Sequence, residues 1–139
     1  MRLIDVTTPR LCEIPKPDQY AILSHTWVDD EVTFQQFSQE IDKEGFSKMV
    51  LEENSRYSKI VRCCAEAELH GFKYVWIDTC CIDKTSSSEL SEAINSMYQW
   101  YSEATLCYVY LSDVDSDEGV RLQSKSNRAS VPNTVIQIT

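Results

Sequence analysis

Asp78 and Asp83 flank two adjacent thiols, Cys80 and Cys81, in the run Asp78-Thr79-Cys80-Cys81-Ile82-Asp83. Carboxylates can hold a substrate, and a thiol beside a histidine and an aspartate can act as a nucleophile. A second set, Ser24-His25-Thr26-Trp27, brings a hydroxyl, an imidazole and an indole, and Asp29, Asp30 and Glu31 follow it. A third set is Glu89 and Glu92, whose spacing on a helix makes the two carboxylates neighbours. Each set also has a plainer reading. Asp78 and Asp83 suit turn or helix caps, His25 a hydrogen-bonded loop position, and Trp27 a lid over the core. Glu89 completes a capping box with Ser86, and Glu92 favours the positive start of a helix. Of these two glutamates, Glu92 is the one the cap does not need.

The elements that must position these groups are read from apolar patterning. Tyr74–Ile77 is an unbroken apolar run with β-branched and aromatic members, which predicts a strand buried on both faces, as in a parallel sheet. Asp78 then lies just beyond its carboxyl end, where open α/β sheets bind their ligands. Tyr20–Leu23 and Leu106–Leu111 read the same way, so Ser24–Trp27 and Ser112–Asp115 fall at equivalent places. Adjacent on a strand, Ser24 and His25 point to opposite faces.

Thr33 and Gln36 form a capping box for a short helix that carries Phe34, Phe37 and Ile41 and ends at Gly45. A longer helix is expected from Ser47 or Asn54 to His70, with Tyr57, Ile60, Val61, Cys64 and Leu69 as its apolar stripe. Gly71 is its stop signal, and His70 suits the negative helix end. The helix opened by Ser86 and Glu89 runs to about Ser102 and is expected to bury Leu90, Ile94, Met97, Tyr98 and Tyr101. Met1–Ile14 alternates weakly and suits an edge hairpin, closed by Pro15 and Pro17. Alternation of strands and helices predicts an α/β fold, a parallel β-sheet flanked by helices. From Glu118 onward the periodicity fails, and nothing leads into the strand-like Val135–Ile138. The expected organisation is a domain over residues 1–117 and a divergent, loosely attached tail over 118–139.

A chain of 139 residues suffices for one domain with a real core. Its net charge of −9 comes from 22 acidic and 13 basic residues, and the basic ones are not clustered. That excludes nucleic acid and an anionic membrane surface as expected partners. No apolar run approaches the ~20 residues of a membrane span. Asp5 and Pro9 interrupt what would be the apolar region of a signal peptide, so the expected location is the cytoplasm. Cys12, Cys63, Cys64, Cys80, Cys81 and Cys107 include two adjacent pairs, which do not readily close on each other. Reduced thiols are expected, with Cys63 and Cys64 as core residues of a helix. Without a Cys-x-x-Cys pair, no metal site is expected.

Three stretches carry a family likeness: Tyr20-Ala21-Ile22-Leu23-Ser24-His25-Thr26-Trp27, Glu31-Val32-Thr33-Phe34, and Trp76-Ile77-Asp78-Thr79-Cys80-Cys81-Ile82-Asp83-Lys84. Continued by Ser88–Tyr101 and Cys107–Val114, they resemble the fungal heterokaryon incompatibility (HET) domain over about residues 1 to 115. As a set these motifs are very specific. The resemblance implies a part in non-self recognition and programmed cell death in filamentous fungi. The HET domain is in turn distantly similar to the TIR domain, a flavodoxin-like sheet that assembles and in several branches cleaves NAD. That likeness implies NAD as substrate, with no bound cofactor, and self-association or contact with other immune-receptor or HET-containing proteins. It places the catalytic carboxylate at Glu92, with Glu89 second, and the substrate-binding groups at Ser24, His25, Trp27, Asp78 and Asp83. Breaking the nicotinamide–ribose bond creates an oxocarbenium-like centre, which a facing carboxylate stabilises.

One departure stands out. The family usually continues past Cys107–Leu111 into a segment with a Thr-Arg-Gly-Trp-Thr-Leu-Gln-Glu-Leu motif, and nothing after Asp117 matches that motif. The sheet is therefore expected to be incomplete at its C-terminal end, with an exposed edge. Three functions compete: a cell-death effector that cleaves NAD, a non-catalytic assembly module in which Glu92 is merely solvated, and a cysteine hydrolase built on Cys80 or Cys81 with His25. The last lacks any local signature.

Overall fold

The computed structural model describes residues 1–44, 56–111, 122–123 and 135–138. The chain opens with strands β1 (Arg2–Asp5) and β2 (Arg10–Glu13), the expected antiparallel hairpin. Next come β3 (Ala21–His25), helix α1 (Phe34–Glu44) and helix α2 (Ser58–Leu69). Strand β4 (Tyr74–Trp76) runs straight into a one-turn helix, α3 (Asp78–Cys81). Helix α4 (Ser87–Glu103) and strand β5 (Leu106–Tyr110) follow, then β6 (Leu122–Gln123) and β7 (Val135–Ile138).

Among the described residues these strands form one sheet in the order β2-β1-β4-β3-β5-β7-β6. β4, β3, β5 and β7 run parallel to their neighbours in that series. Antiparallel strands flank this parallel part, β1 beside β4 and β6 beside β7. By chain position the parallel strands lie second, first, third, fourth, the flavodoxin-like order, and the direction of winding reverses between β3 and β5. Helices cover both faces. On one, the Tyr20 hydroxyl donates to the Trp100 carbonyl of α4, and Trp76 packs against Trp100 and Tyr101 with ring centres 5.5 and 6.0 Å apart. On the other, Lys59 of α2 reaches His25, and His70 Nδ1 lies 2.9 Å from the Tyr108 hydroxyl. Burial from two sides is why Ala21, Ile22 and Leu23 are wholly enclosed, and why the sequence there shows no alternation.

Local signals act at the helix ends. Thr33 N–H donates to Gln36 Oε1 at 3.0 Å and Gln36 N–H to Thr33 Oγ1 at 3.3 Å, the reciprocal capping box expected there. Gly71 has φ +81°, which L side chains rarely adopt, and it turns the chain out of α2. The second box closes differently. Ser86 Oγ accepts from Glu89 N–H at 3.4 Å, but the Glu89 carboxylate accepts from Asp83 N–H at 3.0 Å. Ser86 N–H is already donated to the Asp83 carbonyl. Gly45, Ser47, Asn54 and Ser112–Asp115 lie outside the described residues.

Three expectations are corrected. Ile94 and Tyr98 are exposed, not buried, because α4 turns Trp100 and Tyr101 onto Trp76; Ala93 is the residue of α4 that is fully enclosed. Leu69 is also exposed, at the last position of α2. In the range read as a loose tail, β6 and β7 join the sheet, and β7 covers the edge of β5 with Ile136 and Ile138 buried. A four-residue strand has no local period long enough to reveal its non-local partner. Ile136→Ala should therefore cost about 2–5 kcal/mol of stability in urea unfolding, as for a core isoleucine. A loosely attached segment would lose less than about 0.5 kcal/mol.

Candidate functional site

β3 delivers His25 to the carboxyl end of the sheet with its side chain only 1% exposed. Its Nε2 lies 2.8 Å from Asp78 Oδ1. Asp78 is the first residue of α3, so the break from β4 into a helix aims its carboxylate across the strand ends. Asp78 Oδ2 accepts the indole N–H of Trp27 at 2.9 Å. On the far side of the imidazole, Nδ1 stands 3.0 Å from Lys59 Nζ and 3.5 Å from Glu31 Oε1. Lys59 pairs with Glu31 and lies 3.4 Å from the Thr26 carbonyl. Its ammonium is 5.2 Å from the ring centre of Tyr110, the last residue of β5. Lys84 Nζ sits 4.1 Å from the Trp27 ring centre. The cluster thus occupies the winding reversal, where doubly wound sheets hold ligands.

Burial opposes ionisation of Asp78, but the His25 hydrogen bond, the Lys84 charge and the Trp27 N–H outweigh it and hold the carboxyl below the usual range. Asp83 is held low chiefly by the Thr85 hydroxyl, with Gln35 at 2.7 Å also donating. Its carboxylate ties α1 to the loop before α4. Glu89 is engaged by Arg2 as well as by Asp83 N–H. Arg2 in turn lies 3.3 Å from Glu13 and 4.3 Å from the centre of the Phe34 ring. Glu92 is exposed and lines a cavity of about 360 Å³ together with Arg2, Glu13, Trp76, Glu89 and Trp100. Ser24 meets Tyr101 on the α4 face, opposite His25.

Of the residues expected to hold substrate, the structure brings together His25, Trp27 and Asp78. Asp83 is taken up by Gln35 and Thr85 and Glu89 by Arg2 and Asp83 N–H, Glu92 lines the cavity beside α4, and Ser24 faces away. Lys59 and Glu31 were missed. No signal for Lys59 exists in the sequence: it falls in a first turn, where the dipole disfavours a cation, only because α2 is Ser58–Leu69. All the thiols but Cys12 are buried core groups. Cys80 is fully enclosed and burial pushes it well up, while Cys64 and Cys107 are pushed up to about 12 and about 11 by burial. Neutral buried thiols are inert, which removes the support for a Cys80 nucleophile.

The class defined here is an open, doubly wound α/β domain with a paired polar cluster at its strand reversal. A model described as heterokaryon incompatibility protein (HET) matches residues 20–138, and the chain belongs to that family. The match runs through β6 and β7, beyond residue 115, where the motifs of the sequence end. Vegetative incompatibility protein HET-E-1 of Podospora anserina is 50% identical over 99 residues, 71% of this chain. The aligned part spans 7% of the length of that curated relative. No solved structure matches. Among the described residues, no helix is long and apolar enough to cross a membrane.

A carboxyl whose folded pKa lies below its unfolded value stabilises the fold fully above the unfolded pKa, and that contribution fades as pH falls through the folded one. Asp78→Asn should therefore cost about 1–3 kcal/mol at pH 7 and clearly less near pH 3, below the unfolded carboxyl value of about 3.9. Urea unfolding of both proteins at the two pH values measures this.

Proposed function

We propose that this chain is a cytoplasmic effector domain of heterokaryon incompatibility, acting in fungal non-self recognition and programmed cell death, and that its assembled copies cleave the nicotinamide–ribose bond of NAD. The partners on this reading are other copies of the chain and immune-receptor or HET-containing proteins. The relative's name, a vegetative incompatibility protein, supports the role.

The observation that carries the catalytic part is Glu92 in the wall of the cavity of about 360 Å³. That volume lies within the range of about 300–1,000 Å³ usual for small-molecule sites. Glu92 is exposed to the cavity, whereas Glu89 is consumed by Arg2 and Asp83. As the carbon–nitrogen bond breaks, Glu92 faces the positive charge growing on the ribose and nicotinamide departs neutral. Water then adds to the sugar and releases a proton to solvent, giving ADP-ribose. Arg2 lines the same cavity, its guanidinium shared between Glu13 and Glu89. His25 and Asp78 are spent on each other and on Trp27, which leaves the exposed indole to stack on a ring.

A second reading has its own observation. Ile94 and Tyr98 stand one turn apart on α4 and are 63% and 70% exposed, an apolar pair suited to contact between copies in a non-catalytic module. Incubating NAD with wild type and Glu92→Gln at rising protein concentration separates the two. The catalytic reading expects consumption that rises with assembly and falls about a hundredfold in the variant, roughly 3 kcal/mol. Intact NAD beside wild-type protein that still kills cells defeats it. The assembly reading expects toxicity to survive Glu92→Gln and to vanish in Ile94→Asp or Tyr98→Asp.

A further inference from the structure

An ammonium has three N–H donors and no lone pair. Lys59 has three acceptors around its ammonium: His25 Nδ1, the Thr26 carbonyl and the Glu31 carboxylate. His25 Nδ1 must therefore accept, so the imidazole proton resides on Nε2. From there it is donated to Asp78 Oδ1, which leaves Asp78 Oδ2 for the Trp27 indole. Glu31 also accepts Val28 N–H at 3.2 Å, closing the turn that follows Trp27.

Nothing in local folding calls for a lysine here. Lys59 is almost wholly buried, and it sits in the first turn of α2, against the helix dipole. A charge placed against both burial and local preference marks a functional position rather than a structural convenience. We infer that Lys59, with Glu31 as its counter-charge, is a positioning residue that holds His25 neutral with its proton on Nε2, and through Asp78 fixes the Trp27 indole as a rigid aromatic face at the strand ends.

This inference is independent of NAD cleavage, because its readout needs no substrate. The chain has two histidines, His25 and His70, so ring nitrogen-15 shifts assign readily. Wild type should show His25 as the Nε2–H tautomer. In Lys59→Met, Nδ1 should gain a proton shared with Glu31, so that His25 carries the doubly protonated signature at pH 7. Should that variant fail to fold, the charge-balanced pair Glu31→Gln with Lys59→Met serves: Asp78 still holds the Nε2 proton, and with no ammonium at Nδ1 the doubly protonated share of His25 at pH 7 should exceed that of wild type. The link onward to the indole is read in His25→Phe, where hydrogen exchange of the Trp27 indole N–H should quicken at least about tenfold, as for the loss of one supporting hydrogen bond. A wild-type His25 protonated on Nδ1, a signature unmoved by loss of Lys59, or unchanged Trp27 exchange would overturn the assignment.

Discussion

A strand hydrogen-bonded along both edges and covered on both faces leaves its last side chain no route to bulk water. β3 is such a strand, with β4 and β5 on either side and helices above and below. Its terminal residue is an imidazole, so that ring must find partners within the protein. Asp78 and Lys59 meet the requirement from two different connections of the fold. Each brings a buried charge that needs a partner of its own, which Trp27 and Lys84 supply on one side and Glu31 on the other. The polar cluster follows from the position of β3 together with the residue that ends it.

The same enclosure separates two kinds of polar group in this domain. Those of the cluster are largely saturated, so they order the strand ends more than they offer free valences. The cavity beside α4 is the reverse case. There Arg2 is shared between Glu13 and Glu89, while Glu92 projects into open space. A saturated frame next to an uncommitted carboxylate is a sensible division of labour for a domain whose activity, as proposed above, awaits assembly. It also accounts for Cys63, Cys64, Cys80 and Cys107, buried thiols that stay neutral because burial penalises the thiolate.

Much of this architecture is legible in the residues themselves. The apolar runs at Tyr20–Leu23, Tyr74–Ile77 and Leu106–Leu111 declare doubly buried strands, and their ends locate the chemistry. What they cannot reveal is pairing. His25 and Asp78 read as separate candidates, because their contact depends on β3 and β4 being neighbours. Lys59 reads as an ordinary surface lysine until Glu31 is seen beside it. The rotation of α4 was misjudged for a related reason. Periodicity offered Ile94 and Tyr98 as buried, and the choice between that stripe and the one through Trp100 is made by a single aromatic neighbour, Trp76. Val135–Ile138 reads as strand-like, but its place in the sheet was illegible because it depends on β5 and not on those four residues.

The winding order has a further consequence, in time. β3 is made early, yet one of its two edges waits for β5, which lies most of the chain away. β5 then waits for β7. Long-range parallel pairing is slow, since loop closure precedes its reward. At synthesis rates of about 5–20 residues per second, the nascent domain carries an unpaired apolar strand for several seconds. The central ribbon of the finished fold is thus its most vulnerable segment on the ribosome, and a natural client for a chaperone.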